Sequence, residues 1–340
     1  MYQNFYNLSH RPFDLTPTPR HLYLGETHKE ALALLTYGVT EQKGFVLLTG
    51  EVGTGKTTMV KSLLANLDDT VRCVYISNPR LSPTEFMEYL SLSIFDNGKP
   101  LASKAQFLVR FEKFLKESEG TRQNFVLIID EAQNISDDML EDIRLLSNME
   151  DGDRNLISIF LVGQPELNQK LSQSQCRPVY QRISMRYHIQ ALNKDDTREY
   201  VNTRLETAGS ERAVGLFTPG ALTALHKYSG GYPRMINVLA DNALLLGYSQ
   251  GSEKITASMV KEAYKDTQID EQATGQTEKP NRKAFFMNLT AAIIAALLAL
   301  SAIGLSYTPT GKRLLNQGIN WLFSEEQAVR QSIDKEGLER

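Results

Sequence analysis

The sequence predicts an α/β core, a parallel sheet covered by helices on both faces, followed by an all-helical lid and one transmembrane helix near the C-terminus. Three observations lead to this. Continuous apolar runs rich in β-branched residues recur at 45–49 (FVLLT), 71–77 (VRCVYIS), 125–130 (FVLIID) and 157–162 (ISIFLV), with helical patterns between them. Strands that are apolar on both faces belong to a buried parallel sheet, because a half-solvated strand would alternate. After Leu192 such runs stop, and helical patterns follow at 194–208, 218–228, 233–248 and 256–268. Last, 284–311 holds no charged residue, and 285–305 reads FFMNLTAAIIAALLALSAIGL. At about 1.5 Å of rise per residue, ~20 apolar residues cover the ~30 Å hydrocarbon layer of a bilayer.

Composition sets the boundaries. The stretch 271–283 (EQATGQTEKPNRK) is polar and carries Gly and Pro, as linkers do. The chain therefore divides into an α/β core with an N-terminal linker at 1–193, a helical lid at 194–270, a polar linker at 271–283, the span at 284–307 and a short tail at 308–340. Thr27-His28-Lys29-Glu30 has the capping-box pattern and opens a helix over 31–37. Thr218-Pro219 supplies an N-cap and a proline at the first helical position, and Gly230-Gly231 breaks the chain before the next helix.

A chain of 340 residues with 41% apolar and 23% charged residues buries an ordinary globular core. Its formal charge of -3 gives no global excess of Lys and Arg, and no local basic patch stands out, which argues against a nucleic-acid partner. Cys73 and Cys176 lie far apart without metal-ligand spacing, the pattern of reduced core thiols. The first 20 residues lack an apolar run long enough for a signal peptide, so the N-terminal part is expected in the cytoplasm.

The chemistry begins directly after the first strand. Gly50-Glu51-Val52-Gly53-Thr54-Gly55-Lys56-Thr57 fits the Walker A pattern and is followed by a helical stretch at 58–67. In that context the glycines let backbone N–H groups, including that of Thr58, face phosphates at a helix N-terminus. Lys56 brings a point charge to the β- and γ-phosphates, and the Thr57 hydroxyl is a ligand for Mg²⁺. The apolar run ending in Asp130-Glu131 is a matching Walker B segment. Asp130 at a strand's carboxyl end would hold Mg²⁺, and Glu131 would orient and deprotonate water.

The strand at 157–162 leads into Gly163-Gln164, which places an amide near Asp130-Glu131 if the two strands are neighbours. Gln164 would then sense the γ-phosphate or position the attacking water, the alternative being a polar loop residue. Arg182 and Arg186 stand four apart, one helical turn or one strand face, and either is a finger for a neighbour's nucleotide or a surface arginine. Arg234, after Gly230-Gly231-Tyr232-Pro233, opens a lid helix and would reach back to the γ-phosphate, the alternative being a surface salt bridge. The five histidines show no ligand spacing, so no metal beyond Mg²⁺ is indicated.

With these residues in place, the chain resembles the AAA+ ATPases of the general secretion pathway protein A (ExeA-like) family. The opening residues Met1-Tyr2, Phe5-Tyr6, Pro12-Phe13, Leu15-Thr16-Pro17, Pro19-Arg20, Tyr23-Leu24 and His28 to Leu32 carry the likeness. It continues through GFVLLTGEVGTGKTT, LIIDEAQNIS, LVGQPEL, QRISMRYHI and GGYPRMIN, and so covers roughly 1–268. The resemblance implies ATP and Mg²⁺ as cofactors, Gln164 as sensor 1, Arg234 as sensor 2, Arg182 or Arg186 as finger, and a homo-oligomer. It also implies a bacterial inner-membrane anchor, a cytoplasmic ATPase, a periplasmic tail and an envelope-assembly partner in secretion, pilus biogenesis or polysaccharide export. Family members carry a periplasmic peptidoglycan-binding domain after the span, and the 308–340 tail is too short for one. In that tail Leu315, Ile319 and Leu322 beside Trp321 form a candidate membrane-surface or partner-binding helix. Two other functions fit the same fold: a DNA-acting regulator of the transposition type, which has no need of a span, and a nucleotide-gated scaffold with little turnover.

Overall fold

The computed structural model describes residues 1–15, 23–95, 103–120, 124–152, 154–210 and 213–274. The chain separates into two compact units, Met1–Gln268 and Ile269–Arg340. In chain order the first contains α1 (Tyr2–Phe5), α2 (Glu26–Thr40), β1 (Phe45–Gly50), α3 (Lys56–Ala65), β2 (Val71–Ile76), α4 (Pro83–Ile94), α5 (Lys104–Gly120), β3 (Asn124–Ile129) and α6 (Asp137–Leu146). A two-residue hairpin, β4 (Glu150–Asp151) with β5 (Arg154–Asn155), precedes β6 (Ile157–Gly163), α7 (Glu166–Leu171), α8 (Arg177–Arg182) and β7 (Ile183–Ile189). Then come α9 (Lys194–Thr207), the short α10 (Ala213–Leu216), α11 (Pro219–Ser229), α12 (Pro233–Ser249) and α13 (Ala257–Thr274).

The central sheet has five strands in the order β2-β3-β6-β1-β7, with all four pairings parallel. Burial on both faces is the reason β1, β3 and β6 read as nearly unbroken apolar runs. Phe45 and Leu47 of β1, with Phe125, Leu127 and Ile129 of β3, pack on one face against Phe86, Phe111 and Met139. Val46 and Leu48, with Val126 and Ile128, pack on the other against Leu35, Met59 and Leu63. Successive side chains of a strand point to opposite faces, so each face takes every second residue.

The residue pattern at 183–189 does not mark β7 as a strand. Its pattern is buried only at Ile183 and Ile189, because it is the sheet edge beyond β1 and keeps one side toward solvent. Arg182 consequently ends α8 while Arg186 lies in β7, so the two share neither a helical turn nor a strand face. The capping box expected at Thr27 also fails. Helix α2 starts at Glu26 with Gly25 as N-cap and no side-chain cap, and the Thr27 hydroxyl is buried without a partner. Tertiary contact explains the earlier start: Gly25 lies against Leu192, and His28 in the first turn reaches the carbonyl of Thr54.

Helices α9, α11, α12 and α13 enclose a separate core with Tyr200, Val201, Phe217, Leu225, Ile236 and Leu244. Thr218 caps α11 through its side chain, accepting from the Ala221 N–H, a contribution of about 1 kcal/mol. The N-terminal residues, expected beside the α/β core, pack here instead. Tyr2, Tyr6, Leu8 and Phe13 are all buried in this helical core. Polar links fix the same placement: Tyr2 donates to Asp241, Tyr6 to the carbonyl of Ser252, and Arg204 to the carbonyls of Pro12 and Asp14.

Helix α13 continues to Thr274, four residues into the stretch expected as linker. The rest of that linker, the expected span at 284–307 and the tail at 308–340 lie outside the described residues. Among the described residues no helix is long and apolar enough to cross a membrane.

Phe13 is 2% exposed and its ring meets Phe217 edge-on at 6.0 Å. Phe13→Ala is expected to cost about 3 kcal/mol in a denaturant melt. An unchanged midpoint would show that the N-terminal segment adds nothing to the helical core.

Candidate functional site

All five strands of a parallel sheet end on one edge, and the loops leaving β1, β3 and β6 meet there. The loop after β1 enters α3 through Gly55, the left-handed N-cap of that helix. Gly53 sits at φ +83°, and a Cβ on it would lie 2.8 Å from Cβ of Arg234, so both conformation and space require glycine. Lys56 is 6% exposed, and its Nζ donates to the carbonyls of Gly50 at 2.8 Å and Glu51 at 3.0 Å. Burial lowers its pKa, opposed by the carboxylates of Glu131 and Asp130. An anionic ligand would reinforce that opposition and hold the ammonium charged.

The Thr57 hydroxyl donates to Oδ2 of Asp130 at 2.7 Å. Asp130 is 2% exposed, and its carboxylate also accepts from the Tyr75 hydroxyl at 3.2 Å and from the Glu131 N–H at 2.9 Å. Burial and the neighbouring Asp130 raise the Tyr75 pKa, keeping the phenol a donor. Hydroxyl and carboxylate oxygens side by side are the hard donor set suited to Mg²⁺, so the residues present fit that ion.

Glu131 lies in the left-handed region at φ 51°, an uncommon conformation for a residue with a Cβ. Its Oε2 accepts from the Gln133 side-chain amide at 2.6 Å and from the Gln164 side-chain amide at 3.3 Å. The adjacency of β3 and β6 thus carries Gln164 to Glu131.

Lys56, Thr57, Glu131 and Gln164 line a cleft of about 400 Å³. Val52, Gly53, Gly55, Lys56, Thr57 and Thr58 form its floor, with Glu131 and Gln164 at one side. Arg234 closes it from α12, where its backbone N–H also meets the Gly53 carbonyl at 3.3 Å. Gly50, Glu51, Thr54 and Asp130 do not line the cleft; they act through the loop's backbone and through Thr57. Arg182 and Arg186 lie outside it as well. Arg182 donates to the Ser147 hydroxyl and carbonyl, and Arg186 stacks on the Tyr180 ring at 3.8 Å and donates to the carbonyl of Tyr180.

Several residues of the site belong to no motif that would give them a role there. His28 is 3% exposed, its Nε2 faces the Thr54 carbonyl at 2.8 Å, and burial lowers its pKa. Facing a carbonyl, Nε2 carries the proton. Asp14, Leu15, Tyr23, Tyr200 and Asn237 form the wall opposite the phosphate loop. Nothing in spacing joins Asp14 to Asn237; only the packing of the N-terminal segment on the lid does. Gln133 stands within the DEAQ phrase, where spacing alone gives it no role.

A phosphate loop on β1, an acidic pair on the non-adjacent β3, an amide on the strand between them and a helical lid define an AAA-type P-loop nucleotide-binding protein. A family model described as AAA domain matches residues 39–171. The chain is 40% identical over 280 residues to general secretion pathway protein A of Aeromonas hydrophila, a match covering 82% of this chain and 50% of that one. Both matches are consistent with the ExeA-like family of AAA+ proteins, and the chain spans about half the length of the curated relative it matches. Among solved structures it is similar to the Aeropyrum pernix ORC2 protein in ADPNP–ADP complexes, with TM-score 0.55, 19% identity, and coverage of 76% of this chain and 71% of that one. It is also similar to Cdc6p of Pyrobaculum aerophilum, with TM-score 0.56, 19% identity and coverage of 75% and 70%. A Walker-type ATPase of Pyrococcus abyssi gives TM-score 0.54 at 17% identity, covering 79% and 80%. At these identities the likeness is one of fold.

Proposed function

We propose that the chain is a membrane-anchored ATPase that binds MgATP in the cleft and couples its hydrolysis to the assembly or operation of a bacterial envelope secretion, pilus or polysaccharide-export system. The observation that carries the reading is the 2.7 Å bond from Thr57 to Asp130, which joins the phosphate loop to the acidic strand end beside Glu131. Mg²⁺, when bound, would neutralise phosphate charge, with Thr57 and Asp130 as its protein ligands.

The residues divide the work. The α3 N-terminus and Lys56 bind the phosphates. Glu131 accepts a proton from water as the water oxygen bonds to the γ-phosphorus. The bond from that phosphorus to the β–γ bridging oxygen breaks, and ADP and phosphate leave. Gln164 orients the water, and Arg234 ties the lid to the γ-phosphate. The envelope role is supported by the likeness to general secretion pathway protein A of Aeromonas hydrophila and by the apolar stretch at 285–305, which would anchor the chain in the inner membrane with 308–340 in the periplasm.

Lys56→Ala is expected to lower ATP affinity by more than tenfold, while Glu131→Gln keeps ATP bound and loses at least 99% of turnover. Unchanged affinity in Lys56→Ala would remove the phosphate-loop assignment. Unchanged turnover in Glu131→Gln would favour a base elsewhere.

The proposal includes self-association. Within one chain the cleft has Lys56, Arg234 and Arg204, the last held by the carbonyls of Pro12 and Asp14, but neither Arg182 nor Arg186, so a finger from a neighbour would complete the charge around the transferred phosphoryl group. Such fingers are worth on the order of 10³ to 10⁵ in rate in GTPases. Specific activity should therefore rise with protein concentration. Mixing an Arg182→Ala or Arg186→Ala chain with a Glu131→Gln chain should recover part of the lost activity. A rate independent of concentration, with both arginine variants fully active, would show the site to be complete in one chain.

A further inference from the structure

Gln133 stands behind the cleft rather than in it, on the short 3₁₀ turn Ala132–Asn134 that follows Glu131. Its side-chain amide is engaged at both ends. Nε2 donates to Oε2 of Glu131 at 2.6 Å, and Oε1 accepts the backbone N–H of Gln164 at 3.1 Å. One amide thereby spans the gap between the ends of β3 and β6 and fixes Glu131 relative to Gln164.

Two further features exist to admit that amide. A Cβ on Gly163 would come within 2.8 Å of Gln133 Oε1, closer than real Cβ contacts allow, so β6 must end in glycine for the amide to sit there. Glu131 takes the left-handed conformation (φ 51°, ψ 37°), which side-chain-bearing residues keep only where their surroundings hold them. Two amide donors on one carboxylate oxygen are such a hold.

We infer that Gln133 is the positioning residue for water activation: it aims the Glu131 carboxylate into the cleft and locks it in register with Gln164. This rests on the reading of the site as an ATPase. Gln133 is absent from the cleft lining while Glu131 and Gln164 both line it, so it acts through them and not on the nucleotide. Its loss should leave binding intact and slow the chemical step. Part of the 10² to 10⁴ that a placed general base contributes would be forfeited.

Two near-isosteric variants of the full chain test this, with ATP affinity and turnover measured at one protein concentration. Gln133→Met removes both hydrogen bonds. Gln133→Glu keeps an acceptor for the Gln164 N–H but sets a second carboxylate against Glu131. Gln133→Met should lower kcat about tenfold and Gln133→Glu more, both with Kd for ATP within about twofold of wild type. Gly163→Ala, which displaces the amide from the other side, should show the same split. Wild-type kcat in both Gln133 variants would overturn the proposal. So would Kd and kcat worsening together with a falling Tm, the signature of a merely structural residue. A wild-type chain that binds ATP without turning it over would remove the ATPase reading and this role with it, and is told apart by the wild-type control.

Discussion

Sheet order is the constraint on which the site depends. β1 and β3 are not neighbours; β6 lies between them. The gap this leaves at the strand ends is wide enough for the phosphate loop to turn into α3, and narrow enough for Thr57 to reach Asp130 at 2.7 Å. Because β6 fills that gap, its terminal residues Gly163 and Gln164 arrive between the two motifs. Had β1 paired directly with β3, no strand would deliver an amide to Glu131. The burial of both sheet faces, with Leu127, Ile128 and Ile129 all fully enclosed, holds these ends where they are.

The second organising feature is the joint between lid and phosphate loop. Arg234 packs on Gly53 and bonds its carbonyl, and the Leu192 N–H bonds the carbonyl of Gly231, so the start of α12 is held against the core at two points. The N-terminal segment belongs to the lid, through Phe13, Tyr2 and the two carbonyls that Arg204 holds. The cleft therefore has a floor from the α/β core and a wall from the lid with its strap. A change in lid position would move Asp14, Leu15 and Arg234 together, which gives nucleotide state a route to the rest of the chain.

Much of this could be read from the residues, and what could not has physical causes. The three central strands β3, β6 and β1 stand out because burial on both faces leaves them almost wholly apolar, and β2, at the opposite edge from β7, keeps an apolar run around Arg72. β7 does not, because an edge strand that exposes serine, arginine and histidine on one face resembles a loop. The phosphate loop and the acidic pair are local in sequence, so spacing reveals them. Tyr75 on Asp130, His28 on Thr54 and the placement of 1–15 on the lid are contacts between distant segments, to which no spacing rule applies. The start of α2 was misplaced because a tertiary contact at Gly25 outweighed a local capping pattern. Arg182 and Arg186 were read as a pair, yet a helix end falls between them.

The central claim is that Thr57 and Asp130 form the ion-binding half of an ATP-hydrolysing cleft. Phosphate release by the full chain, followed while Mg²⁺ is titrated in and then removed by a chelator, tests it most directly. The account predicts turnover that saturates with Mg²⁺, vanishes on chelation and requires a higher Mg²⁺ concentration in Thr57→Ala. Turnover that persists without a divalent cation, or an unchanged Mg²⁺ requirement in Thr57→Ala, would contradict it.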